Sequence, residues 1–128
     1  QKEVIDALGL TKLVYNMNIL SQNAALAAMD YADEILAHNI PPTLAARQHF
    51  MDALKDVPNL TVYPSATNFV LVRVPDGPAM VKALHDADIC VRSYKAADLK
   101  NCLRITITTD DVVRRVVAVM TEEAKKYA

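Results

Sequence analysis

The sequence contains no tryptophan, two glycines (Gly9 and Gly77) and two cysteines (Cys90 and Cys102). So little glycine leaves no room for a Walker loop, a dinucleotide-binding fingerprint or a nucleophile elbow, each of which needs glycines at fixed spacing. Two cysteines far from any histidine pair make neither a zinc site nor a disulfide framework, and are expected as free thiols that act as small buried hydrophobes. Charge of one sign is also missing, since 14 Lys+Arg stand against 15 Asp+Glu. The chain therefore lacks the broad basic field that nonspecific binding to nucleic acid or an anionic membrane requires, and neither is an expected partner. No apolar run approaches the roughly 18 residues of a membrane span, and the opening QKEVIDALGL has no basic region followed by an apolar one. A cytoplasmic address is expected.

What is present is 128 residues, 52% of them apolar. That length buries roughly two thirds of the unfolded chain's surface, enough for one core without staples. The chain opens at Gln1 and runs straight into an amphipathic stretch, which reads as a piece of something longer.

Val4, Ile5 and Leu8 stand at helical spacing, with Gly9 placed as a C-cap. Residues 10–19 read as a connector laid against another surface. From Ser21, a candidate N-cap, the alanines between positions 24 and 32 predict a helix smooth on several sides and suited to burial between layers. Pro41 and Pro42 are expected to end or kink that helix, because proline removes a donor and crowds the preceding turn. A second helix then carries Leu44, Phe50, Met51, Leu54 and Val57.

The period changes at LTVYP (60–64) and NFVLVRV (68–74), two strands joined by a short turn and so expected to be antiparallel. Asp76 caps a helix bearing Met80, Val81, Leu84 and Ala87. A short strand follows at 89–93. CLRITIT (102–108) alternates, with Leu103, Ile105 and Ile107 on one face and Cys102, Arg104, Thr106 and Thr108 on the other. The last helix starts near Asp110 with acids first and Lys125 and Lys126 last. The order ααββαββα implies an α+β two-layer domain, a mostly antiparallel sheet with helices on one side.

His38, His49 and His85 all fall on helices without the i, i+4 spacing of a metal pair, and read as surface histidines. Asp110 and Asp111 are explained by a helix N-terminus before any paired-carboxylate chemistry. Arg92 and Arg104 sit on strands, where two fixed guanidinium groups suit a dianion; the plainer alternative is that each lies over the sheet or pairs with an acid. Arg73 has the same two readings.

The succession YNMN (15–18), YPSATNFVLVRV (63–74), VRSY (91–94) and NCLRITITTDD (101–111) resembles histidinol-phosphate aminotransferase across nearly the whole chain. The resemblance implies the C-terminal small domain of a fold type I enzyme dependent on pyridoxal phosphate. Residues 1–19 would then be the connector from a large domain, and 20–128 the small domain. It further implies Arg104 against a substrate carboxylate and Arg92 against a substrate phosphate, with no catalytic, cofactor-binding or metal-binding residue in this chain. Asn68 also matches a family position, for which a structural part is expected. The Schiff-base lysine would lie in the large domain, so this chain alone would be inactive.

The expected reaction of a complete enzyme, a homodimer, is amino transfer between histidinol phosphate and 2-oxoglutarate in histidine biosynthesis. The alternatives are an aromatic amino acid aminotransferase, a phosphoamino-acid decarboxylase on the same fold, and a free-standing α+β ligand-binding module. The chain departs from the family pattern at Thr108, where glycine is usual, at the DDV that follows, and at Pro41 and Pro42.

Overall fold

Proline is tolerated in a helix where its fixed φ fits and where water can reach the carbonyls it leaves unbonded. That condition decides the first half of the chain. The structure, a computed structural model, describes residues 1–12 and 15–127. These form two compact units, Gln1–Ala37 and His38–Ala128.

The first unit opens with helix α1 (Lys2–Thr11). Gly9 lies inside it rather than capping it; neither glycine has a positive φ, and the helix ends at Lys12, whose N–H donates to the Leu8 carbonyl. Within the expected connector, Leu10 and Thr11 are still helical and Ile19 already begins α2 (Ile19–Met29), while positions 13 and 14 lie outside the described residues. The cap of α2 is Asn18 rather than Ser21: the Asn18 Oδ1 accepts the Ser21 N–H at 2.9 Å. An asparagine three residues earlier supplies the acceptor, so Ser21 becomes a residue of the first turn. No residue of α2 is buried within this chain.

The break expected at the proline pair comes earlier. After a tight turn at Asp30 and Tyr31, helix α3 (Ala32–Leu54) starts with Asp33 and Glu34 in its first turn and runs on through Pro41 and Pro42. The acids favour a helix start there through the macrodipole. The donors missing at the two prolines would have bonded Ala37 and His38, both exposed, so those carbonyls stay hydrated. Helix order from Ile19 onward is still ααββαββα, with the first junction moved from 41 to 30.

The second unit holds the sheet. Strands β1 (Thr61–Val62), β2 (Phe69–Arg73), β3 (Arg92–Ser93) and β4 (Cys102–Thr106) lie in the order β1-β2-β4-β3, every neighbouring pair antiparallel. Between them come α4 (Gly77–Asp86), capped by Asp76, whose Oδ1 accepts the Ala79 N–H, and a 3-10 turn at Ala97–Leu99. Helix α5 (Asp110–Lys125) closes the chain. Alternation along β2 and β4 sends Val70, Val72, Leu103 and Ile105 into one core with Phe50 and Leu54 of α3, Met80 and Leu84 of α4, and Val113, Val116 and Met120 of α5. Helices therefore cover one face of the sheet, as the pattern predicted. The other face carries Phe69, Leu71, Arg73, Arg104 and Thr106, none of them buried, together with the buried Cys102.

One backbone crossing fixes the start of α4. A Cβ on Gly77 would stand 2.6 Å from the Lys100 carbonyl oxygen, so only glycine lets the two segments meet. Asn101 seals the junction, accepting the Gly77 N–H at 3.2 Å and donating to the Pro75 carbonyl at 3.0 Å. Among the described residues no helix is long and apolar enough to cross a membrane.

Candidate functional site

Strand β4 owes its place in the middle of the sheet to Leu103 and Ile105, which are buried, and the same alternation turns Arg104 outward. Arg92 on the edge strand β3 stands directly opposite Arg104 in the antiparallel register. Two guanidinium groups thus share one face of the sheet as cross-strand partners, a placement that like charges make unfavourable unless an anion lies between them. Both arginines are exposed, and among the described residues neither has an ion pair or a side-chain hydrogen bond. Arg104 does have one partner: its Cζ lies 5.1 Å from the centroid of the Phe69 ring. Phe69 faces Thr106 in the register, two residues from Arg104, so ring and guanidinium meet diagonally across the strands.

Arg73 behaves differently. Its Nε donates to the Tyr63 hydroxyl at 3.2 Å and its Nη2 to the Asp98 carbonyl at 3.2 Å. The Tyr63 hydrogen bond, with the nearby Cys102, raises its pKa above the ordinary arginine value. It fastens the 3-10 turn to the sheet, in line with the structural one of its two sequence readings. Cys102 beneath it is fully buried although alternation put it on the open face; Cys90 is exposed, contrary to the expectation that both thiols would be buried. The Asn68 main-chain carbonyl accepts the Ile107 N–H at 2.7 Å, a bond that does not depend on its side chain.

A groove of 730 Å³ lies away from the arginine pair, between α3 and the β4–α5 junction, lined by His38, Asn39, Thr43, His49, Thr108 and Asp110 among others. Two of its members, His49 and Asp110, are already paired. Asp110 Oδ1 is 2.5 Å from His49 Nδ1, and its Oδ2 accepts from Arg114 Nε at 2.7 Å. These bonds, His49 first and then Arg114, hold the Asp110 carboxyl below the usual aspartate range. The pair pins α5 to α3 and reads as structure, like the surface part expected of His49 and the helix-start part expected of Asp110.

The sign of its pH dependence follows. A carboxyl whose folded pKa is depressed contributes stability that is complete above the unfolded value, 3.8 for aspartate, and is lost as the pH falls through the lower folded value. Asp110→Asn is expected to flatten the acid limb of the unfolding curve and to lower stability near neutrality. Thermal melts at pH 7 and below pH 4 check it, and an acid limb unchanged by the substitution would remove Asp110 from the account.

The lysines of this chain share one setting. All eight, from Lys2 to Lys126, are exposed, whereas a lysine that forms an imine at neutral pH needs desolvation or a neighbouring cation to lower its pKa. The arrangement can bind and orient an anion.

No family model matches the chain. A curated relative, the histidinol-phosphate aminotransferase of Ruminiclostridium cellulolyticum, is 35% identical over 106 residues, which are 82% of this chain and 29% of that protein. Among solved structures, histidinol-phosphate aminotransferase from Sinorhizobium meliloti in complex with pyridoxal-5'-phosphate is 31% identical, with a TM-score of 0.63 over 82% of this chain and 28% of that one. The histidinol-phosphate aminotransferase from Clostridium acetobutylicum, 19% identical, shares the fold over 98% of this chain and 39% of its own length, with a TM-score of 0.68. The chain thus corresponds to the C-terminal part of histidinol-phosphate aminotransferases, a family in which pyridoxal phosphate is the cofactor, and spans under a third of the length of the curated relatives it matches.

Proposed function

We propose that this chain, matching the C-terminal part of histidinol-phosphate aminotransferases, is the substrate-recognition domain of such an enzyme. The complete enzyme would move the amino group of histidinol phosphate to 2-oxoglutarate in histidine biosynthesis. The observation that carries the proposal is the Arg92–Arg104 pair, two guanidinium groups opposed across strands and, among the described residues, without an ion pair to an acid. A planar fork suits phosphate and carboxylate oxygens alike, and a sheet holds two forks at a fixed separation.

In this reading Arg104 takes the carboxylate of the 2-oxo acid and Arg92 the phosphate of the amino donor. Histidinol phosphate carries no carboxylate, so its phosphate meets both arginines, and 2-oxoglutarate occupies them in the second half of the cycle. Anchoring the anionic end fixes how the amine presents itself, which is the orientation that amino transfer requires. Pyridoxal phosphate supplies the electron sink when bound. The exposed lysines support placing its attachment in the remaining two thirds or so of the enzyme, so that this chain alone recognises substrates without turning them over.

Residues 1–19 would lead in from the large domain and 20–128 form the small one. The exposed apolar side chains Ile5, Leu8, Leu26, Met29 and Tyr31 support a covering partner, which we assign to that large domain and to a second subunit of a homodimer. A near-neutral charge balance supports a cytoplasmic enzyme without nucleic-acid or membrane partners.

The test is the half-reaction of the complete polypeptide loaded with cofactor, followed by its absorbance. Histidinol phosphate is expected to convert it rapidly to the amino form. Conversion by phenylalanine alone would move the enzyme to aromatic amino acids, and release of carbon dioxide from a phosphoamino acid would make it a decarboxylase.

A further inference from the structure

The Ser65–Ala66–Thr67–Asn68 turn lies before β2 and touches neither arginine, yet its hydroxyls converge on one residue. Ser65 Oγ donates to the Phe69 carbonyl at 2.5 Å, and Thr67 Oγ1 reaches that same carbonyl at 3.2 Å and the Phe69 N–H at 3.3 Å. The Thr67 carbonyl in turn accepts from Arg47 Nη1 at 2.8 Å, and the Asn68 carbonyl from the Ile107 N–H at 2.7 Å. Helix α3 on one side and the end of β4 on the other therefore clamp the turn, and the turn clamps the backbone of Phe69.

We infer that Phe69 is a positioning residue for Arg104, and that the S-x-T-N-F turn exists to hold its ring as a platform under the guanidinium. Arg104 is pressed from β3 by the like charge of Arg92 and drawn toward β2 by the ring face 5.1 Å from its Cζ. A long exposed arginine otherwise spreads over many rotamers, and ordering it only at the moment of binding weakens the bond to an anion. A ring carried on a clamped backbone offers its face at a set place and removes part of that cost before the substrate arrives. A leucine at the same place fills space without offering a face of negative potential.

The inference rests on the assignment of Arg104 to the substrate anion, and the test keeps the two apart. In the complete enzyme, the dissociation constant of succinate, a dicarboxylate that does not react, is measured by calorimetry beside the KM and kcat for 2-oxoglutarate. Phe69→Leu and Phe69→Met, two variants so that one folded protein suffices, are expected to weaken succinate and raise KM by about two- to fivefold, the size of an exposed cation–π contact, with kcat at saturation little changed. Phe69→Tyr, which keeps the ring face, is expected to match the native protein. In an Arg104→Gln background the leucine substitution is expected to add nothing.

Two results overturn the proposal while leaving Arg104 in place: Arg104→Gln weakens succinate but Phe69→Leu and Phe69→Met do not, or the leucine weakens it equally in both backgrounds. If Arg104→Gln itself leaves succinate unchanged, the assignment of Arg104 fails first.

Discussion

Replacing Arg104 by alanine in the complete enzyme is expected to lower kcat/KM for 2-oxoglutarate by about two orders of magnitude or more. That is the scale of losing a charge-assisted, two-pronged hydrogen bond in a site shielded from water. Arg104→Lys is expected to fall between, since an ammonium keeps the charge and loses the fork. The reason is geometric. Leu103 and Ile105 lock β4 into the core on either side, so the backbone of position 104 has little freedom to compensate for a shorter or rounder side chain. Leu71 directly opposite offers no charge to take its place. Amines without phosphate or carboxylate should react as slowly with the variant as with the native enzyme. Steady-state kinetics with the two substrate classes checks this, and an unchanged kcat/KM for 2-oxoglutarate would take Arg104 out of the site.

The second large effect concerns the layer beneath the sheet. Phe50 of α3 is wholly buried, in one cluster with Val70, Leu103, Val116 and Met120. Phe50→Ala removes a ring from that cluster and leaves a void that β2 and β4, tied to each other through five register pairs, cannot close around. The expected cost is about 3–5 kcal/mol, against a total stability of roughly 5–15 kcal/mol for a domain. Urea unfolding is expected to show an earlier midpoint with an unchanged slope. Loss below about 1 kcal/mol would mean that α3 packs on the sheet less tightly than its burial shows.

The period of the apolar residues carried most of the fold. Val70 and Val72, then Leu103 and Ile105, identify the two central strands and their inner face without any tertiary information, and Asp76 and the acids at 110 and 111 mark two helix starts. The misplacements fall where short-range signals compete. Asn18 and Ser21 are both good caps, and the earlier one took the helix. Pro41 and Pro42 carry the strongest local stop signal in the chain, yet exposure of the carbonyls they leave unbonded lets α3 pass through.

Of the site, alternation alone turned Arg104 outward, but the pairing of Arg92 with Arg104 needed the register, which periodicity does not fix for a strand as short as β3. Phe69 has no motif signal of its own. Its alternation with Leu71 and Arg73 placed it on the open face, the one available sign that an aromatic stood beside the arginines. The His49–Asp110 contact joins positions far apart in sequence, and nothing local announces it.

The most direct test compares histidinol phosphate with histidinol, which lacks the phosphate, in the cofactor-loaded complete enzyme and in its Arg92→Gln/Arg104→Gln variant. The native enzyme should convert the phosphorylated amine far faster, and the doubly substituted enzyme should lose that preference while still reacting slowly with both. A variant that still prefers the phosphate by the native factor would contradict the assignment of the two strand arginines to the substrate anion.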